Sequence, residues 1–297
     1  MVFFGLKYRW WQRWAKWQGR VESTVDSIVI PCVGNSFVEE GRMAAEFAAR
    51  HMSSTTEIIL ATDQSASAFN GLPAKVRVVE LSVDEKGGGG FQAIWRSRLI
   101  KMQAPLLANG ETILLMDSDI NLLRDFKLFI RPNTIFGAFR PGKMIRKVKH
   151  HESPIPELEG VRWARRKRHL NGGFLVASRD TWHRLAPAWR CLYLALWRRV
   201  GYETPPTDQL PLAASIEQLG ISACDLGRPY NHVVTEMFNE PPVQIPACVI
   251  GAHGGFPISE WEKYLENPKA KLHFITDKER RRVRYLRDSE AQAEPNS

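Results

Sequence analysis

The fold class predicted from the sequence is α/β, a doubly wound and mostly parallel sheet, and three observations carry it. Short apolar runs of strand length, rich in branched aliphatics, alternate along the chain with segments of helical apolar spacing. The alternation opens β-α-β, which within one sheet implies parallel strands joined by a crossover. At 297 residues, 44% hydrophobic and 25% charged, the chain is globular and carries enough apolar surface for a sizeable core.

Residues 27–33 (SIVIPCV) read as a buried strand, 37–51 as a helix with apolar residues at helical spacing, and 57–63 (EIILATD) as a second strand. Residues 75–81 (KVRVVEL) supply a third strand. Four glycines, Gly87 to Gly90, then break the chain before a helix over 91–107, and 112–116 (TILLM) form a fourth strand. Beyond these, 172–178 (GGFLVAS) reads as a strand, 179–200 as a long helix, 207–219 as a shorter helix, and 221–226 and 247–253 as strands. No internal repeat is present, and residues 21–275 read as one domain.

The formal net charge of +9 is concentrated in two places. Residues 1–20 hold five Lys/Arg and no acid, and 140–169 hold ten Lys/Arg against three Glu, so the rest of the chain is slightly acidic. In residues 1–20, Trp10, Trp11, Trp14 and Trp17 interleave with Arg9, Arg13, Lys16 and Arg20. On a helix the four basic residues fall within an arc of roughly 60° and the apolar ones fill roughly 160° of the other side, interrupted only by Lys7. That composition suits a helix lying in the interface of an anionic membrane; the plainer alternative is a helix packed on the domain. Residues 140–169 read as a long basic surface loop, and 276–297 as a polar, basic, partly disordered tail. No apolar run reaches the roughly 18 residues needed to span a bilayer, and no secretory signal opens the chain. Cys32, Cys191, Cys224 and Cys248 are far apart and form no CxxC pair, which indicates neither zinc nor a disulfide framework and makes the cytoplasm the expected compartment.

The stretch ETILLMDSDINLL (111–123) sets Asp117 and Asp119 one residue apart at the end of an apolar strand. Asp-Ser-Asp can serve as turn chemistry or as a helix cap. At the end of a buried strand, however, two carboxylates repel one another, and a divalent cation turns that repulsion into binding. A bound cation in turn implies an anion held by it, most simply a nucleotide diphosphate. His253, in IGAHGG, ends another apolar run beside Gly254 and Gly255, offering an imidazole ligand and backbone that can approach a phosphate closely. Two carboxylates with one imidazole suit Mn²⁺ better than Mg²⁺. Arg98 and Lys101 lie on the helix preceding the Asp strand and are spaced to flank a diphosphate or a sugar.

These elements occur in a telling order: Lys101 sixteen residues before the first Asp, Asp117-Ser118-Asp119, an Asn-x-Gly strand opening at Asn171, Asp208-Gln209 heading a helix, and His253-Gly254 at a late strand end. The set resembles the GT-A glycosyltransferases of family 8, the group containing glycogenin and bacterial lipopolysaccharide galactosyl- and glucosyltransferases. The resemblance runs from about Ser27 to Gly255. It implies that Asp117, Asp119 and His253 ligate the metal, and that Arg98, Lys101, Ser118, Asn171 and Gly172 contact the donor. It also implies that Asp208 and Gln209 stand near the reacting carbon, and that Pro31, Cys32, Val33 and Asn35, with Gly254 or Gly255 against the diphosphate, form the nucleotide pocket. Members often carry Gly three residues and Lys six residues after the His, where this chain has Phe256 and Ser259. A basic residue of the 140–169 segment, such as Arg165 or Arg168, is the expected replacement for that lysine.

The resemblance implies metal-dependent transfer of a sugar from a nucleotide-diphosphate donor, usually a UDP-sugar, to a saccharide or lipid-linked saccharide, with retention of anomeric configuration. The basic segments add an expectation of peripheral association with an anionic membrane at its inner face, with no nucleic acid as partner. Two other classes share some of these features. A sugar-nucleotide pyrophosphorylase calls for a basic, glycine-rich loop directly after the first strand, whereas the first Lys or Arg after that strand is Arg42. A non-catalytic module binding nucleic acid or an anionic membrane explains the basic segments but not Asp117, Asp119, Asp208 and His253. His150–Glu152 (HHE) reads as solvated loop rather than a second metal site.

Overall fold

The computed structural model describes residues 23–83, 91–139, 170–199, 208–234, 243–254 and 256–273. The amphipathic helix expected over 1–20, the glycine break, the basic loop, the tail, Gly255, Arg165, Arg168 and the HHE triplet lie outside the described residues. In chain order the strands are β1 (Ser23–Thr24), β2 (Ser27–Cys32), β3 (Glu57–Thr62), β4 (Val76–Glu80), β5 (Thr112–Met116), β6 (Asn121–Leu122), β7 (Lys127–Leu128), β8 (Thr134–Phe139), β9 (Leu170–Ser178), β10 (Ser222–Asp225), β11 (His232–Val234) and β12 (Gly251–Gly254). The helices are α1 (Val38–His51), α2 (Gln92–Gln103), α3 (Arg179–Arg199), α4 (Gln209–Gln218) and α5 (Ile258–Glu266).

Seven strands form the central sheet in the order β10-β8-β9-β5-β2-β3-β4. The four on one side are mutually parallel, β2 pairing with both β3 and β5, and β3 with β4. β9 is antiparallel to β5 and β8, and β10 returns parallel to β8. The protein is thus mixed α/β with a mostly parallel central sheet. The chain builds outward from β2 to β4 and then crosses back to place β5 on the other flank of β2, which makes the β2–β5 boundary the point where the strand order reverses. In open α/β sheets the crevice beyond the carboxyl ends at that reversal is where ligands bind.

Sequence expectation and structure differ in several places. β8 (TIFGAF), a buried member of the main sheet, is absent from the sequence reading, as are the two-residue strands β6 and β7, the short β11, and α5. The strand expected over 247–253 starts only at Gly251 and joins β11 and β6 in a separate three-stranded sheet. The helix expected over 91–107 is α-helical to Gln103 and tightens into a 3₁₀ turn over Ala104–Leu107, because Pro105 supplies no N–H to continue the ladder.

Both faces of the sheet are covered. On one, Ala44, Ala45 and Ala48 of α1 pack on Ile28, Ile30 and Cys32 of β2. The helix sits close enough that a Cβ at Gly41 would stand 2.5 Å from the Cys32 sulfur. On the other face, Trp95, Leu99 and Ile100 of α2 meet Trp182, Trp189, Tyr193 and Trp197 of α3. Complete burial of each such large side chain is worth about 1.5–3 kcal/mol or more, so α2 and α3 are firmly fixed relative to the sheet. No helix among the described residues is long and apolar enough to cross a membrane.

Candidate functional site

Beyond the carboxyl end of β5 the chain turns sharply, with the Ile120 N–H donating to the Asp117 carbonyl at 3.1 Å. The Asp117 N–H donates to the Gly173 carbonyl at 2.8 Å, which ties the strand end to the opening of β9. Two glycines let the elements close in. A Cβ at Gly172 would lie 3.5 Å from the Lys101 nitrogen and 3.6 Å from Asp208 Oδ2, and one at Gly173 would lie 3.0 Å from Asp117 Oδ2. Asn171 spends its Oδ1 locally, accepting from the Gly173 N–H at 2.9 Å.

Lys101 stands at the centre. It rides on α2, is 2% exposed, and sets its ammonium 2.7 Å from Asp117 Oδ1 and 3.2 Å from Asp208 Oδ2. Arg98, one helical turn earlier, reaches Asp208 Oδ2 at 3.5 Å. Burial alone would drive Lys101 towards neutrality, but Asp117 and Asp208 outweigh it and hold the ammonium above its ordinary range. Burial likewise opposes ionisation of Asp208, and Arg98 and Lys101 reverse this, keeping its carboxyl well below the usual carboxylate range. Asp208 is buried at the N-cap of α4, yet its side chain makes no capping hydrogen bond. An N-cap Asp ordinarily accepts from the helix N–H groups; this one is turned towards the two cations. Gln209, half-buried, follows it and comes close to Gly172.

Asp119 retains exposed surface, but desolvation at the crowded strand end and the charge of Asp117 push its carboxyl above the ordinary range, partly opposed by His253 and Lys101. His253, on β12, has its Nε2 buried without a hydrogen-bond partner. Three carboxylates, two fixed cations and an unsatisfied imidazole nitrogen therefore come from α2, the β5 end, α4 and β12. Ser118 is half-buried in the turn between the two aspartates.

The residues expected around a nucleotide divide by side chain. Pro31 and Val33 are buried. Cys32 is fully buried and faces the core, its thiol donating to the Phe37 carbonyl at 3.1 Å and its pKa pushed up to about 12, mainly by burial. Asn35 is exposed at the β2 end. Beside it Gly34, with φ at 90°, donates its N–H to Asp63 Oδ1 at 2.8 Å, and Arg96 pairs with the other oxygen of Asp63 at 3.3 Å. Gly254 is needed for packing as well as for any ligand, since a Cβ there would lie 3.0 Å from the Val234 Cβ and carbonyl oxygen. Phe256, where the resembled family has Gly, is buried and stacks edge-on against Trp261.

Among the described residues no three His, Cys, Asp or Glu side chains stand close enough together to hold a metal ion as placed. Lys101 holds Asp117 Oδ1 at 2.7 Å. The donor chemistry of Asp117, Asp119 and His253 nonetheless suits a divalent cation of the Mn²⁺ type: two carboxylates, one raised by its neighbour's charge, beside an imidazole nitrogen with no partner.

Several participants carry no sequence signature. Trp189 donates its indole N–H to the Asp208 carbonyl at 2.8 Å. Tyr193, one turn on, packs with tilted rings against Trp95 and Trp197 and has its hydroxyl buried without a partner. Asp63 and Arg96 also go unsignalled; Asp63 at a strand end was the one readable hint, lying as it does at the carboxyl end of β3 beside β2. No protein-family model and no curated protein matches the chain.

Proposed function

We propose that the chain is a metal-dependent glycosyltransferase of GT-A type, moving a sugar from a nucleotide-diphosphate donor, most simply a UDP-sugar, to a saccharide or lipid-linked saccharide acceptor. The observation that carries this reading is the meeting of Asp117, Asp119, Lys101, Asp208 and His253 at the reversal point of the sheet, drawn from segments up to 152 residues apart in sequence. The charge balance supports it. Three carboxylates against Arg98 and Lys101 leave one negative charge, which a divalent cation converts to a positive one suited to a diphosphate.

In this reading the bond between the anomeric carbon and the diphosphate oxygen breaks with its electron pair passing to the diphosphate, a bond from that carbon to an acceptor hydroxyl oxygen forms, and the hydroxyl proton passes to the departing diphosphate. Asp117, Asp119 and His253 would hold Mn²⁺, which would supply Lewis-acid stabilisation of the leaving diphosphate. Lys101 and Arg98 add fixed positive charge on the same side. Asp208, ionised and anchored, orients the sugar and faces the positive charge that develops at the anomeric carbon, with Gln209 beside it. Gly172 keeps the floor of the site open next to both Lys101 and Asp208. Retention of configuration follows from the family resemblance. Residues 1–20 supply the proposed membrane association.

Calorimetric binding of UDP with and without Mn²⁺ tests the proposal. Wild type binds UDP only with the metal, and Asp119→Ala weakens that binding by about 100-fold. Equal binding in EDTA, or no binding of UDP, GDP or dTDP under either condition, rejects the reading and favours an anionic-surface module.

A further inference from the structure

Two tryptophans of α3, two turns apart on one face, use their indole N–H groups in the same way. Trp182 donates to the Ile113 carbonyl at 3.1 Å and Trp189 to the Asp208 carbonyl at 2.8 Å, and both rings are fully buried. The first fastens the helix to the sheet. The second ends on a carbonyl that already has a partner, because the Leu212 N–H donates to Asp208 O at 3.2 Å and so starts the α4 ladder. The helix does not need Trp189 in order to begin. What the extra bond fixes is the orientation of the peptide following Asp208, and with it the backbone angles of Asp208, φ −72° and ψ −19°, which are helical rather than extended as at an ordinary N-cap. With that backbone held, the carboxylate caps nothing and instead lies 3.2 Å from Lys101 and 3.5 Å from Arg98.

We infer that Trp189 is a positioning residue: its indole N–H holds the Asp208 main chain so that the carboxylate faces Lys101 and Arg98 instead of capping its own helix. Released from this bond, Asp208 has a competing use in capping the Leu210 N–H of the first turn of α4, Pro211 having no N–H to offer. The mechanical coupling stands on geometry alone; its importance for sugar transfer rests on the transferase reading.

A double-mutant cycle separates the two. Trp189→Phe, which keeps an aromatic ring but removes the donor and part of the buried volume, is measured alone and with Lys101→Met by denaturant unfolding, with Trp182→Phe as the control for the lost volume. Trp189→Phe raises the unfolding equilibrium constant about tenfold in the wild-type background and about threefold or less with Lys101→Met, since the closer of the two contacts it positions is already gone; Trp182→Phe has the same effect in both backgrounds. Equal effects of Trp189→Phe in both backgrounds overturn the inference, whatever the protein's substrate. Should Trp189→Phe fail to fold, the indole resonances of Lys101→Met decide: that of Trp189 shifts while that of Trp182 stays, and both unmoved overturns it. With UDP-glucose or UDP-galactose and Mn²⁺, kcat of Trp189→Phe falls about tenfold with donor KM within about twofold. A positive cycle in a protein that binds no nucleotide diphosphate leaves the positioning intact and removes the transferase reading alone.

Discussion

The two ends of the central sheet settle their charges in opposite ways. At the amino end Glu57 accepts from Arg77 at 2.8 Å, from the Ser27 hydroxyl at 3.0 Å and from the Asn109 N–H at 3.4 Å, while Asp26 accepts from the Thr112 N–H at 2.9 Å. Each carboxylate there has its own neutral donors or a single exposed cation. At the carboxyl end three carboxylates share two cations, Lys101 is buried between two of them, and His253 Nε2, Asn121 Oδ1 and the Tyr193 hydroxyl are buried without partners. An arrangement selected for stability alone looks like the first. The second concentrates desolvated charge and unsatisfied atoms where the strand order reverses, and such concentrations mark sites built for a ligand.

The contrast predicts the largest effect at Lys101. Lys101→Met leaves Asp117 and Asp208 without their shared buried counter-charge, and breaking a buried pair from one side costs about 3–5 kcal/mol. Asp117 is 30% exposed on its side chain, so water softens its share and the expected loss is about 3 kcal/mol, read from denaturant unfolding at pH 7. A loss below about 1 kcal/mol would mean that the two ends of the sheet are energetically alike.

Asp119 should move stability the other way. Its folded-state pKa is raised, so the stability linked to its proton is fully present below the unfolded value near 4 and is lost as pH rises through the folded value. At pH 7 without metal the ionised carboxylate is therefore a net cost. Asp119→Asn is expected to raise the thermal midpoint in EDTA by about 1–2 °C at pH 7, small because the residue keeps exposed surface, and by nothing measurable near pH 3. A lowered midpoint at pH 7 would place Asp119 in a stabilising contact instead. On the proposed reading the same substitution is expected to weaken metal-dependent binding of UDP by up to about 100-fold, as for Asp119→Ala, so stability and binding would move in opposite directions at this residue.

How much of this was legible follows from what each feature owes to its neighbours in sequence. β2, β3 and β5 are uninterrupted apolar runs and α1 has regular apolar spacing, so they were readable alone. β8 was not, because TIFGAF contains a glycine and borders the basic 140–169 segment. β6, β7 and β11 are too short to show any period. α5 carried a usable signal in Trp261 and Tyr264, three apart and both buried, that went unread. At the site, Asp117, Asp119, Lys101 and Asp208 were legible as residue types at spacings, but the direct grip of Lys101 on both Asp117 and Asp208 was not, since it depends on how α2 and α4 converge over Gly172. Trp189 was the least legible, because a hydrogen bond to a main-chain carbonyl places no demand on the residue that accepts it.

The smallest effect is expected at the amino end, at Arg77. Its guanidinium donates to Glu57 and to the Leu107 carbonyl at 3.0 Å, so on paper it links three segments. Its side chain is 45% exposed, however, and Glu57 keeps the Ser27 hydroxyl and the Asn109 N–H when the arginine goes. Nothing buried is left uncompensated, and solvent screens the rest, so Arg77→Met should cost no more than about 0.5 kcal/mol at pH 7 in 0.15 M salt. The residual contribution has a defined pH sign. Glu57 has its pKa lowered because its hydrogen bonds and the arginine outweigh a raising effect of burial, so the stability is present above the unfolded value near 4.3 and is lost as pH falls through the folded value. Parallel unfolding of Arg77→Met and Lys101→Met is therefore the direct measure of the asymmetry: a ratio of about six between their losses is expected, and a ratio near one would show that pairing at the site is no more demanding than pairing at an ordinary surface.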